Sequence, residues 1–401
     1  MIDLIKNLAI TNRRAKSSVI RELLKLTNKP GVISFAGGLP SPECFPIDQL
    51  ADITSKVIKE KGHLAFQYGE TEGTAELKEE IIKLLKTDEA ITIKKENIII
   101  TSSSQQGLDL VTKTFIDAAD FVITEAPTYI GGLQVFRCYG ANIISVPSDD
   151  DGLCVSALEK LLNNLISDEE HYKMLYVVPD FQNPKGTTLP FERREQIVKL
   201  AAKYNFIILE DSPYRHLRYR GNAPSMLYKL DSLSNTISLF SFSKTLVPGF
   251  RLGYIVANAE IIKKFSKLKQ SLDLCTSPFI QYITAEFLKQ GYFHPHLNKI
   301  KSIYEKKLNV MLEALKKYMP EEVTWTSPEG GLFLWATLPE KIDTTEMFND
   351  AIKENVAYVI GSAFHADGGG KNSMRLNFSY PSEVEIDVGI KRLAEVIKKK
   401  I

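Results

Sequence analysis

Lys244 draws attention because of what surrounds it. Ser241-Phe242-Ser243-Lys244 follows the apolar run Ile237–Phe240, and Arg251 stands seven residues beyond the lysine. A free lysine amine has a pKa of about 10.4 and is protonated and inert at neutral pH. A neighbouring cation such as Arg251, or partial burial, lowers that value and leaves an amine able to attack an aldehyde. Three more polar clusters follow short apolar runs in the same way. Thr101-Ser102-Ser103-Ser104-Gln105-Gln106-Gly107 opens a helix from about Leu108, where free N–H groups and the helix dipole suit a phosphate. Pro179-Asp180-Phe181-Gln182-Asn183-Pro184-Lys185-Gly186 follows Leu175–Val178, and Glu210-Asp211-Ser212-Pro213-Tyr214 follows Phe206–Leu209. Ser103, Ser104, Gln105, Ser241 and Ser243 can build an anion site that Arg251 completes with a paired, always-charged donor. Asp211 is a carboxylate able to keep a ring nitrogen protonated. Phosphate site, reactive amine and carboxylate together describe a cradle for pyridoxal 5'-phosphate.

These clusters lie far apart in sequence, so a scaffold must gather them. Seven β-branched runs supply one: Ile98–Ile100, Phe121–Ile123, Ile143–Val146, Leu175–Val178, Phe206–Leu209, Ile237–Phe240 and Tyr254–Val256. They are nearly continuous rather than alternating, as expected of strands covered on both faces. Helical patterns such as Phe191–Lys203 lie between several of them, which is the α/β signature with a mostly parallel sheet. Ligands bind such sheets beyond the carboxyl ends of the strands, where the clusters stand. After residue 290 the rhythm loosens. A long amphipathic helix over His296–Tyr318 precedes strand-like pieces at Val323–Trp325, Leu332–Trp335 and Ser373–Phe378. The expected division is an N-terminal segment 1–45 joining a smaller α+β domain, a large domain over 46–290 and the small domain over 291–401. Val19, Ile20, Leu23, Leu24 and Leu26 share one helical face in the N-terminal segment, ended by Lys29-Pro30-Gly31.

Composition narrows the function classes. The 401 residues are 44% hydrophobic, enough for a sizeable core. Lys+Arg number 50 against 49 Asp+Glu, a net charge of +1 that lacks the basic excess of a nucleic-acid binder. Four scattered cysteines, none in a C-x-x-C pair, argue against a disulfide framework or a zinc knuckle. No run approaches the ~18 apolar residues of a membrane span, so a cytoplasmic protein is expected. His294-Pro295-His296 has no cysteine or carboxylate beside it to complete a ligand set, and no metal is expected.

The motifs also resemble those of a known family. Ser241-Phe242-Ser243-Lys244-Thr245-Leu246 and Pro248-Gly249-Phe250-Arg251-Leu252-Gly253 resemble the lysine motif of the class I/II (fold-type I) aminotransferases. Gln182–Gly186, Tyr68-Gly69 with Thr71-Glu72-Gly73, and Arg375–Ser379 resemble further motifs of the same family, in family order. Phe35–Pro40 and Pro328–Gly331 most resemble the branch of 2-aminoadipate, kynurenine and aromatic aminotransferases. The resemblance implies a seven-stranded sheet flanked by helices and a pyridoxal-phosphate aminotransferase. It would move an amino group from 2-aminoadipate, glutamate, or an aromatic or aliphatic donor to a 2-oxo acid such as 2-oxoglutarate, through a Lys244 Schiff base. It implies that Asp211 pairs with the ring nitrogen, that Asn183 and Tyr214 bond the ring hydroxyl and that Tyr129 stacks on the ring. Ser104, Gln105, Ser241, Ser243 and Arg251 would hold the phosphate. Arg375 would grip the substrate carboxylate beside the Gly38 backbone, Arg21 would meet the far end of the substrate, and Tyr68 would reach in from the second subunit of a homodimer.

Two positions depart from the family pattern. Ser103 stands where relatives usually carry glycine, and Ile360 where they commonly carry proline, which is expected to loosen the loop near the substrate carboxylate. Two rivals share the cofactor: a lyase or decarboxylase on the same fold, and a cofactor-sensing regulator. Regulators of that kind carry an extra DNA-binding domain, and with the motifs beginning by about residue 35 no such domain is expected here.

Overall fold

The computed structural model describes residues 4–15, 31–167, 172–232 and 234–401. The helix expected around Val19–Leu26, and Arg21 with it, lies outside them.

Ile33–Ser34 forms a short strand, β1. All seven expected runs become strands of one sheet: Ile98–Thr101 (β2), Phe121–Ala126 (β3), Asn142–Asp149 (β4), Tyr172–Val177 (β6), Ile207–Asp211 (β7), Thr236–Ser241 (β8) and Gly253–Val256 (β9). An eighth, Gly152–Leu153 (β5), folds back antiparallel on the end of β4, so the sheet has eight strands where seven were expected. Two residues in a hairpin are too short to show a periodicity, which is why the sequence hid them. The strand order is β2-β9-β8-β7-β6-β3-β4-β5. The five central strands from β8 to β4 run parallel, while β9 is antiparallel to both of its neighbours. This reversal has a use. β9 starts where β2 and β8 end, so the residues just before Gly253 arrive at the ligand edge of the sheet.

The strands are mostly apolar because helices cover both faces. Every residue of β2 and β9 is buried. The helix Phe191–Tyr204 ends on Asn205 in the left-handed region, φ 53°, where asparagine is tolerated better than most residues. The helix Ser103–Phe115 and the helix Ile130–Tyr139 each begin within a few residues of a strand's carboxyl end and point their N-termini into the same crevice.

A second, antiparallel sheet has the order Thr324–Trp325 (β10), Phe333–Thr337 (β11), Ser373–Asn377 (β14), Val359–Ile360 (β13). The long helix Phe293–Tyr318 and the C-terminal helix Glu383–Lys398 pack together behind it. The latter starts with a capping box between Ser382 and Glu385. β1 pairs in parallel with Val356–Ala357 (β12), which ties the N-terminal segment to these C-terminal elements. Ile360 is buried and lies opposite Met374 in the β13–β14 ladder, so the segment expected to be loose is held in a sheet.

Candidate active site

The carboxyl ends of β2, β3, β6, β7 and β8 open onto a cavity of about 660 Å³, closed from the other side by Gly38, Phe333 and Arg375. That is room for one cofactor-sized ligand and a small substrate. Of the residues singled out from sequence, Gly38, Ser103, Ser104, Gln105, Tyr129, Asn183, Asp211, Tyr214, Ser241, Ser243, Lys244, Arg251 and Arg375 all line it. Tyr68 does not; its ring is 79% exposed on the surface of the chain. Arg21 is not among the described residues.

Asp211 is the last residue of β7 and is buried to 2% exposure. Tyr176 of β6, on the neighbouring strand, donates its hydroxyl to Asp211 Oδ2 at 2.9 Å. Oδ1 has no hydrogen-bond partner among the described residues. Burial pushes the carboxyl up to about 7, and the Tyr176 hydrogen bond only partly opposes it. A buried carboxylate oxygen with no donor is costly, and a cationic N–H arriving from the cavity relieves it.

Lys244 follows β8. Its Nζ donates to the backbone oxygen of Gly38 at 2.7 Å. Burial, then the charges of Arg375 and Arg251, lowers the amine to about 8. Burial is the larger cause, whereas sequence alone left burial and the cation as alternatives. A substantial fraction of Lys244 is therefore a neutral nucleophile near pH 8.

At the other end of the cavity the N-terminus of the helix Ser103–Phe115 meets the loop after β8. Ser243 N–H donates to Ser241 Oγ at 3.2 Å, and Arg251 reaches Ser103 Oγ through Nη2 at 2.5 Å. Hydroxyls, free helix N–H groups and a guanidinium thus converge where an anion fits. Tyr129 lies between the two ends. Its hydroxyl donates to Gln105 Oε1 at 3.3 Å, and Gly131 lies so close that a Cβ there would sit 2.4 Å from the ring. Asn183 Nδ2 donates to the Tyr214 hydroxyl at 3.3 Å, which sets a polar pair beside the ring space.

Arg375 comes from β14 and is buried to 2% exposure. Nη1 donates to Asn183 Oδ1 at 2.8 Å and Nη2 to Ala36 O at 2.7 Å, while Nε has no partner among the described residues. The guanidinium lies 4.2 Å from the Phe333 ring centre and 5.1 Å from that of Phe364. Burial lowers its pKa to about 10, which leaves it charged at neutral pH. A buried cation with a donor to spare is a receptor for a carboxylate.

Sequence reasoning missed Tyr176, Val178, Phe333 and Gly131. Tyr176 read as one more apolar position of a strand, and nothing in a single chain tells which residue faces it on the next strand. Phe333 lies two residues beyond Gly330-Gly331, a segment that the sequence marks only by its likeness to the family.

The model of the class I and II aminotransferases matches residues 44–393. The chain belongs to the class I and II aminotransferases. It is 45% identical to aromatic-amino-acid aminotransferase 1 of Thermococcus litoralis over 386 residues, 96% of this chain and 93% of that protein. It is 39% identical to the 2-aminoadipate transaminase of Thermus thermophilus over 389 residues, 96% of this chain and 95% of that one. The solved kynurenine aminotransferase of Pyrococcus horikoshii, in complex with PMP, KYN as substrates and KYA as products, superposes with a TM-score of 0.96 at 44% identity. That match covers 100% of this chain and 98% of the other. The fold is the fold-type I aminotransferase fold, and the protein is a transaminase. Among the described residues no helix is long and apolar enough to cross a membrane.

Proposed function

We propose that this aminotransferase takes an amino group from 2-aminoadipate, glutamate, or an aromatic or aliphatic amino acid and passes it to a 2-oxo acid, with 2-oxoglutarate as acceptor. The single observation that carries the reading is the cavity's division of labour. A buried, donor-less Asp211 oxygen, the Lys244 amine and the partly unpaired Arg375 guanidinium all face one space. Pyridoxal phosphate fits it, with an anion for the Ser103–Arg251 end, a ring N–H for Asp211 and a ring hydroxyl for Asn183 and Tyr214.

When bound, pyridoxal phosphate supplies an aldehyde and an electron-withdrawing ring. The chain's own residues do the rest. Asp211 Oδ1, buried without a partner among the described residues, would accept the ring N–H and hold that proton in place. Tyr129 would cover one face of the ring, its tilt fixed by the hydrogen bond to Gln105. Arg375 takes the substrate carboxylate through its fork and orients the Cα–H bond. Lys244 Nζ would hold the aldehyde end of the group and, as a neutral amine in the cavity, would serve as the base and acid that moves the substrate Cα proton. Phe333 and Phe364 flank Arg375 and keep water from its face. We read residues 46–290 as the cofactor-binding domain, with 1–45 and 291–401 forming the smaller one. We also read the protein as a cytoplasmic homodimer in which Tyr68 completes the partner's site; its exposure on the single chain supports that.

A panel of amino donors with 2-oxoglutarate, scored by kcat/KM, tests the reading. Lys244→Ala should abolish transfer and the absorbance change on cofactor binding, and borohydride should fix the cofactor at position 244 in the parent. Release of ammonia or carbon dioxide in place of a 2-oxo acid would assign a lyase or a decarboxylase instead. If Arg21 reads a distal carboxylate, Arg21→Ala should hurt 2-aminoadipate and glutamate far more than leucine or phenylalanine.

A further inference from the structure

Ser103 is a serine in a glycine's conformation. Its φ is +66°, in the left-handed region where a Cβ crowds the following carbonyl. The residue is buried and has little freedom to leave that region. Thr101 Oγ1 donates to its carbonyl at 3.0 Å, and a Cβ on Gly253 would lie 2.9 Å from the Ser103 backbone. A glycine would meet the same constraints without strain.

The hydroxyl is what a glycine would lack, and it has one conspicuous partner. Arg251 Nη2 donates to Ser103 Oγ at 2.5 Å, whereas Nη1 reaches Ser243 Oγ and Pro248 O only at 3.4 Å each. Arg251 is exposed, and its own backbone is left-handed at φ +48°. An exposed arginine with two long contacts would sample many rotamers, and ordering it on ligand binding would cost side-chain entropy.

We propose that Ser103 is a positioning residue for the cofactor phosphate: its hydroxyl holds the Arg251 guanidinium aimed into the anion site, and the chain keeps a strained serine there for that purpose. This rests on the pyridoxal-phosphate reading above. Ser103 acts through Arg251, so its effect is confined to ligands that carry the phosphate.

The test uses the full-length protein as wild type, Ser103→Gly and Ser103→Ala, each freed of cofactor. The variants are titrated with pyridoxal phosphate and with pyridoxal, and melted without ligand. The cost of ordering a freed Arg251 side chain on binding predicts that Ser103→Gly raises the Kd for pyridoxal phosphate by roughly 5–10-fold. The Kd for pyridoxal should not change. Relief of the left-handed strain should raise the Tm of the cofactor-free Ser103→Gly protein by roughly 1–2 °C. Ser103→Ala should weaken pyridoxal phosphate similarly without that gain in Tm. In an Arg251→Ala background, Ser103→Gly should cause no further loss. The inference is overturned if Ser103→Gly binds pyridoxal phosphate as tightly as wild type, weakens pyridoxal equally, melts lower, or still weakens binding once Arg251 is gone. A wild-type chain that binds no pyridoxal phosphate at all would instead overturn the function proposed above.

Discussion

Replacing Asp211 with asparagine in the cofactor-free protein should flatten part of the dependence of stability on pH. In the folded chain burial raises this carboxyl to about 7, against an ordinary aspartate value near 3.8. An acid whose pKa is higher in the folded state binds its proton more tightly there, so its stabilising contribution is full below about pH 4 and is lost as the pH rises toward 7. Between about pH 5.5 and about pH 8 the loss from this one group is roughly 2 kcal/mol, since each pKa unit is worth about 1.36 kcal/mol. Asparagine has no such proton. It can still accept the Tyr176 hydroxyl, and its buried NH2 costs about 1–3 kcal/mol for want of a partner, but that cost does not vary with pH. Glu125, also buried and raised to about 7, gives a slope of the same sign in both proteins and cancels in the comparison. Urea denaturation at the two pH values reads the difference. If Asp211→Asn loses as much stability as wild type across that interval, within about 0.5 kcal/mol, the burial reasoning is wrong.

Lys244, lowered to about 8, is neutral only above that value. The rate of reconstitution with pyridoxal phosphate should therefore rise with pH and level off above about 8; a stopped-flow profile still climbing steeply at about pH 10 would contradict the lowered value. Gly131→Ala would place a Cβ 2.4 Å from the Tyr129 ring and must displace it. Its kcat/KM should fall by roughly 10–100-fold with the Tm nearly unchanged, as steady-state kinetics beside a melting curve would show. Asp180 accepts from Arg194 at 2.8 Å and Arg215 at 3.1 Å, all three buried. Asp180→Asn should cost about 3–5 kcal/mol in urea denaturation, because two buried guanidinium groups lose their counter-charge; a loss under about 1 kcal/mol would show that Glu89 and the backbone oxygens suffice.

The sheet was legible because five of its seven longer strands carry at least three consecutive apolar positions, because a single serine interrupts the apolar run in the other two, β4 and β8, and because polar clusters follow the strands that end at the ligand edge. The same pattern delivered most of the site, since the topology turns those clusters into neighbours. What stayed hidden depends on geometry between strands. Tyr176 meets Asp211 only through the β6–β7 register, and Tyr176 reads as apolar in its own segment. The antiparallel course of β9, which delivers Arg251, leaves no trace in a run as short as Gly253–Val256. Ile360 suggested looseness by comparison with proline, yet its backbone lies in a ladder that the sequence does not announce. The strain at Ser103 was visible only as an unusual residue, and its φ and its partner Arg251 needed coordinates.

Arg375 is clasped before any amino acid arrives, by Asn183 on one nitrogen and by the Ala36 carbonyl on another. If Arg375 receives the substrate carboxylate as proposed, an idle site stays templated between turnovers and the incoming carboxylate meets a fork that is already held in place. A lysine would bring the same charge to position 375 but could not grip both struts and still present a flat, two-pronged edge. On that proposal, discrimination for α-amino acids is stored in the resting protein.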